Sequence, residues 1–300
     1  MKNLFIRVIL AAMILNICGI NNCFGQQYQK SLKQLTFAPG FDYYPSWSPD
    51  GKYIVFSTDR AGGNLWKVPS NGGTAVQVTK INSNHPSWSP EGSYIAFDSE
   101  QGSVVRIVSP DGGIAVRIVP ESIKISRGAH PCWSRDGTKV TFTAEGTIWT
   151  VELASGKLTR IFHKEGYYAR AFSWSPDGKY ITADVGSVEK NDDDVWLLPV
   201  DGSEPVILTN FPGREGNPKY SPDGTMIAYM SDLGGKKELK IMSAKGGKSV
   251  KITTHEGFNA NPRWSPDGTK LAFASDMGGN VDIWVMELNL ELLKKALNLE

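Results

Sequence analysis

Short apolar runs of alternating pattern recur along the whole chain. One position reads Ile54, Ile95, Val140, Ile181, Ile227 and Leu271, and two residues further on stand Phe56, Phe97, Phe142, Ala183, Tyr229 and Phe273. A spacing of two puts both positions on one face of a strand. A second run follows each of these: Leu65-Trp66-Lys67-Val68, Val104-Val105-Arg106-Ile107, Ile148-Trp149-Thr150-Val151, Val195-Trp196-Leu197-Leu198, Leu239-Lys240-Ile241-Met242 and Ile283-Trp284-Val285-Met286. Glycine-rich turns such as Asn71-Gly72-Gly73 and Asp111-Gly112-Gly113 then lead to runs ending in Val78-Thr79, Ile118-Val119, Leu158-Thr159, Leu208-Thr209 and Ile252-Thr253. The pattern predicts an all-β fold of repeated strand groups.

Before each alternating run stands one motif: Trp47-Ser-Pro-Asp-Gly, Trp88-Ser-Pro-Glu-Gly, Trp133-Ser-Arg-Asp-Gly, Trp174-Ser-Pro-Asp-Gly, Tyr220-Ser-Pro-Asp-Gly and Trp264-Ser-Pro-Asp-Gly. The copies are 41 to 46 residues apart, the length of one four-stranded propeller blade. Within the motif, proline fixes φ, aspartate bonds the backbone ahead of it, and glycine accepts a positive φ, so each copy predicts a tight turn between two strands. The tryptophans of the motif and of the later runs are read as core, where Trp→Ala typically costs about 3–5 kcal/mol.

The ends of the chain complete the count. The sixth repeat stops after Trp284-Val285-Met286, and Lys33-Gln34-Leu35-Thr36 resembles the missing fourth strand. The reading is a six-bladed β-propeller over residues 26–289, closed by an N-terminal strand pairing with the last blade, which hides the sheet edges. Residues 290–300 have helical spacing and form a C-terminal tail. Residues 1–25 read as a signal peptide: Lys2 and Arg7, the apolar run Val8 to Leu15, and small residues before a cleavage site after Gly25. A lipoprotein is the lesser reading, because neither Cys18 nor Cys23 follows a small residue. The protein is therefore expected in the periplasm or outside the cell, with no membrane span after cleavage.

Composition narrows the function. A formal net charge of +1 gives no field that would draw the chain to nucleic acid. Cleavage leaves Cys132 alone, so no intrachain disulfide is expected, and Cys132 reads as a small buried residue. No catalytic motif is evident: the sequence has no Gly-x-Ser-x-Gly, no His-Glu-x-x-His and no phosphate-binding loop.

The repeated Pro-x-Trp-Ser-Pro-Asp-Gly-Lys, Ile-Ala-Phe-x-Ser-Asp, Ile-Trp-Val-Met, Asp-Gly-Gly and Leu-Thr elements resemble the TolB-type propeller repeat from about residue 33 to 288. In TolB an α/β domain precedes the propeller, and a peptidoglycan-associated lipoprotein docks over the channel. Here the repeats begin about ten residues after the expected cleavage site, so that α/β domain is not expected. The resemblance implies a protein- or peptide-binding module, monomeric, with an envelope lipoprotein as one partner type.

In such a ring the first strands line the channel, so the residue before the motif proline should ring its mouth. These positions hold Tyr44, His85, His130, Ala171, Asn217 and Asn261, with Asp42, Arg170, Glu215 and Asn259 nearby. Polar residues around a concave mouth suit ligand binding. His85 and His130, with Glu215 or Asp42, would be a partial metal set, but two imidazoles fall short of a usual one; the reading adopted has no metal, no cofactor and no catalytic residue. Glu189, Asp192, Asp193 and Asp194 are read as a solvated acidic loop. The alternative function is a metal-assisted lyase or hydrolase acting on extracellular carbohydrate.

Overall fold

A computed structural model describes residues 23–100, 103–123, 129–190, 192–233 and 235–299. Most of the segment expected to be a signal peptide, residues 1–22, lies outside these described residues. The repeats fold into six antiparallel four-stranded units, here called blades 1 to 6. The inner strands are Asp42–Trp47, Ser83–Trp88, Cys132–Trp133, Tyr167–Trp174, Arg214–Tyr220 and Asn259–Trp264. Blades 4 and 5 are joined by one parallel bridge, Asp193 to Arg214. In blade 6 the outermost strand is N-terminal: Gln29–Gln34 pairs antiparallel with Asp282–Leu288, with Lys33 opposite Val285. Leu35 continues this edge, donating its N–H to the Ile283 carbonyl at 2.8 Å.

The motif folds as its residue types require. The Ser48 hydroxyl donates to Asp50 Oδ1 at 2.7 Å and accepts the Tyr53 N–H at 2.9 Å. The same serine–aspartate bond recurs at Ser134, Ser175, Ser221 and Ser265. The motif glycines sit at φ near +70 to +85°, for example Gly51 at +71°, a region that favours glycine. This bonding holds the Asp50 carboxyl down at about 2, the Ser48 hydroxyl contributing most.

The alternating positions are buried as their spacing implies. Phe56, Phe97, Phe142 and Phe273 are fully buried between blades. The motif tryptophans also link blades: the indole N–H donates from Trp47 to the Arg263 carbonyl, from Trp133 to the Ser87 carbonyl and from Trp264 to the Lys219 carbonyl. A helix, Leu290–Ala296, follows the last strand and is capped by Asn289, whose side chain accepts the Leu292 N–H. Its Leu293 is buried against Tyr28, Trp264 and Leu288.

Candidate functional site

The inner strands of blades 1, 2, 5 and 6 each carry an irregularity at the residue before the motif proline. The register slips between Tyr43 and Ser46, Asn84 and Ser87, Gly216 and Lys219, and Ala260 and Arg263. Tyr44, His85, Asn217 and Asn261 at these bulges, and His130 just before the blade 3 inner strand, adopt φ of +45 to +56°. Proline disfavours the right-handed region for its predecessor, and Asn and His enter the left-handed region more readily than most residues. Part of the residue choice at this position is therefore conformational. Tyr44 is the exception, because a bulky aromatic residue in this region is strained.

The bulge turns Tyr44, His85, His130 and Asn217 toward a central cavity of about 450 Å³. Asn261 has the same backbone but is buried and does not line the cavity. Three rings gather at one mouth. Tyr44 and His85 have ring centroids 4.1 Å apart, and His85 and His130 3.8 Å apart. Burial, then Asp98 and Asp184, push the Tyr44 phenol up to about 12. Burial, and after it His85 and the cations Arg170, Lys219 and Arg263, hold His130 well below the usual imidazole range, so it is neutral.

Behind this cluster lies a carboxylate that the repeat pattern did not single out. Asp98 is fully buried and stands 3.0 Å from His85 Nδ1 through both oxygens. With the proton on Nδ1, the His85 lone pair is on Nε2. Asp184 holds the corresponding place in blade 4. Burial raises its carboxyl to about 6 against the opposing charge of Arg170, and its Oδ1 has no hydrogen-bond partner among the described residues.

The other expected mouth residues serve the blades. Asp42 is fully buried and receives both oxygens' bonds from Arg60 Nη2 at 2.8 Å. Glu215 accepts from the Ser231 hydroxyl, and Asn259 binds Ser275, the Lys237 carbonyl and the His255 carbonyl. Because the bulge changes which face the strand presents, these residues sit inside their blades, not at the channel. Neither Asp42 nor Glu215 is placed to complete a metal site with the histidines, and no group of three or more His, Cys, Asp or Glu suited to a metal occurs among the described residues. Arg170 bonds Asp193 Oδ2 at 2.7 Å, beside the Tyr168 ring. Tyr168 also donates to Asp193, so this member of the acidic loop is buried and engaged rather than solvated. Asp194 accepts from Thr209.

Below the mouth a second ring lines the channel, formed by the residue between the motif proline and tryptophan: Ser46, Ser87, Cys132, Ser173, Lys219 and Arg263. Ser46 accepts the Trp88 N–H at 3.1 Å, and Ser87 accepts the Trp133 N–H at 3.4 Å. Lys219 is 6% exposed and donates to the Phe172 carbonyl at 2.6 Å. Arg263 donates to the Pro262 carbonyl at 3.1 Å. Neither forms an ion pair with a carboxylate among the described residues. Burial lowers the Arg263 guanidinium to about 10, which leaves it cationic at neutral pH. Aligning the six copies reveals this ring directly: three serines and a cysteine give way to Lys and Arg only in blades 5 and 6.

Comparison with known proteins agrees with this architecture. Residues 171–295 match the TolB beta propeller domain. An uncharacterised protein of Agrobacterium fabrum is 26% identical over 201 residues, 65% of this chain and 52% of that protein, so the chain spans about half the length of this curated relative. The solved structure of a TolB candidate from Agrobacterium tumefaciens superposes with a TM-score of 0.66 at 24% identity, covering 83% of this chain and 91% of that one. The oligogalacturonate lyase of Vibrio parahaemolyticus superposes with a TM-score of 0.60 at 14% identity, covering 87% and 95%; at that identity the likeness concerns the fold. The chain folds as a six-bladed β-propeller and is similar to the propellers of TolB proteins.

Proposed function

We propose that the chain is an exported binding module that holds a protein or peptide partner at the mouth of its central channel. The observation that carries this reading is the cluster of Tyr44, His85 and His130, built on left-handed backbone that Tyr44 adopts only at a cost. Aromatic rings presented by a rigid scaffold are favoured anchors for a partner. Export is supported by Lys2, Arg7 and the apolar run from Val8 to Leu15. No helix among the described residues is long and apolar enough to cross a membrane. The resemblance to TolB propellers supports an envelope lipoprotein as one partner type.

The test is capture of envelope proteins by the native chain and by a Tyr44→Ala, His85→Ala, His130→Ala variant of the same melting behaviour. The variant should lose the partner that the native chain retains. Equal capture by both would place the binding surface elsewhere.

A carbohydrate lyase is the second reading. His85 oriented by Asp98 has the form of a general base, and one structural neighbour is an oligogalacturonate lyase. Elimination on oligogalacturonate, followed by absorbance of the new double bond and abolished in His85→Gln, would establish it in place of the binding reading.

A further inference from the structure

Four of the six residues of the second ring, Ser46, Ser87, Lys219 and Arg263, offer donors, whereas Ser173 and Cys132 donate to the Trp174 and Trp133 carbonyls. Lys219 and Arg263 both offer N–H donors, and Arg263 is cationic at neutral pH. Ser46 and Ser87 already accept backbone N–H groups from the next blade, which leaves their hydroxyl protons to donate inward. No carboxylate of the described residues pairs with either cation, and Lys219 is more than nine-tenths buried. Burying a cation without a charged partner is costly, and a ligand that supplies the missing acceptor relieves that cost.

We propose that the ring of Ser46, Ser87, Cys132, Ser173, Lys219 and Arg263 is a carboxylate subsite that takes the free C-terminal end of a bound peptide. Four features select this ligand. Ser46, Ser87, Lys219 and Arg263 have protons to offer, which favours a ligand that accepts. The planar guanidinium of Arg263 matches a carboxylate with two parallel bonds. Asp98 and Asp184 lie close enough to the mouth to raise the Tyr44 phenol, which disfavours a doubly charged phosphate more than a singly charged carboxylate. Two residues of inner strand separate Tyr44 from Ser46, roughly 7 Å at about 3.3 Å per residue, so one or two terminal residues of a peptide span from the aromatic mouth to the cations. Lys219 also becomes easier to protonate once an anion sits beside it.

This inference rests on the peptide-binding reading and can fail separately from it. The probes are acetyl-triglycine as the free acid, its C-terminal amide, N-acetyl-aspartic diamide analogues bearing one side-chain carboxylate, trigalacturonate and inorganic phosphate, titrated calorimetrically into the full chain. The free acid should bind, with the amide weaker by about tenfold or more. Arg263→Gln and Lys219→Met, each checked for native circular dichroism, should each weaken the free acid by about tenfold or more without changing the amide. Binding of the side-chain carboxylate as tightly as the terminal one supports a carboxylate subsite and identifies side chains as its source. Equal binding of acid and amide, no binding of either up to the solubility limit, indifference to both substitutions, or preference for phosphate overturns the proposal. Binding of trigalacturonate alone overturns it together with the peptide reading and favours the lyase. If the free acid binds as expected while the Tyr44, His85, His130 variant still captures every partner, the subsite stands and the mouth assignment falls.

Discussion

Replacing Lys219 with methionine should stabilise the unliganded protein. The ammonium is buried in the channel wall, with the Phe172 carbonyl at 2.6 Å and no carboxylate partner among the described residues. Burial is the main cause lowering its pKa well below 10.5; Arg263 acts in the same direction, and Cys132 and Asp184 act against it. Methionine has a similar length and no charge to desolvate. Exchanging a buried ionic group for an apolar one of like volume is commonly neutral or favourable by about 1–4 kcal/mol. At about 2–4 °C per kcal/mol for a domain of this class, the melting temperature should rise by several degrees.

The pH dependence identifies the cause. Between the lowered pKa and 10.5, the unfolded chain holds a proton that the folded chain has released. Unfolding in that window takes up a proton, so the parent grows more stable as pH rises, by about 1.4 kcal/mol per unit. Methionine has no such proton. The advantage of Lys219→Met should therefore be constant below the lowered pKa and shrink toward zero as pH rises from it to 10.5. Paired thermal melts of the two proteins from pH 7 to 10 measure this difference directly. A variant less stable than its parent at pH 7, or an advantage that does not change with pH, would refute the account of Lys219 as an uncompensated buried cation.

Three further outcomes follow from the geometry. Asp42→Asn leaves Arg60 without its buried carboxylate and should cost about 3–5 kcal/mol, read by denaturant unfolding; because Asp42 faces its own blade, whatever fraction folds should capture partners as the parent does. Removing residues 26–37 deletes the outer strand of blade 6 and takes Leu35, 3% exposed, from the cluster with Trp47, Phe56 and Ile283; loss of that leucine alone is worth about 2–5 kcal/mol, so an unchanged melting temperature would contradict the packing. Asp50 is held at about 2 in the folded chain, below its ordinary 3.8, chiefly by Ser48. The stability from this bond is present above pH 4 and lost as pH falls toward 2, and Asp50→Asn should flatten acid melts in that range.

The fold was legible because the repeat states it six times. The Trp-Ser-Pro-Asp-Gly copies, the alternating Ile/Phe pair and the unpaired strand at Lys33 all describe one blade, and local and global preferences agree. The mouth was legible only in part. Counting back from the motif proline found Tyr44, His85, His130 and Asn217, but a count assumes regular alternation. The bulge breaks it, so Asp42, Glu215 and Asn259, two residues earlier, turn into their blades and bond Arg60, Ser231 and Ser275. Asp98 was hidden for a related reason: its bond to His85 follows from Asn84 pairing with Asp98 across two strands, a relation with no fixed spacing in the sequence. Blade 4 repeats the carboxylate as Asp184, but in the other four blades its place is taken by Ser57, Thr143, Met230 and Ala274, so the repeat as a whole does not mark it.

The two rings of the channel differ in how far backbone geometry accounts for them. At the mouth, the left-handed bulge by itself favours residues such as His85, His130, Asn217 and Asn261, so their recurrence is weak evidence for a ligand. Tyr44 is stronger evidence, because the same backbone disfavours it. In the second ring the strand is extended and any residue is allowed. Four blades place a small side chain there, which the convergence of six inner strands makes easy to pack. Blades 5 and 6 instead place a buried Lys219 and a half-buried Arg263 there, where charge on one disfavours charge on the other and neither forms an ion pair with a carboxylate among the described residues. Packing and electrostatics both run against that pair, and stability alone would remove it. Functional sites are where such costs are retained, and the two channel cations meet that criterion more fully than any residue the motif count picked out.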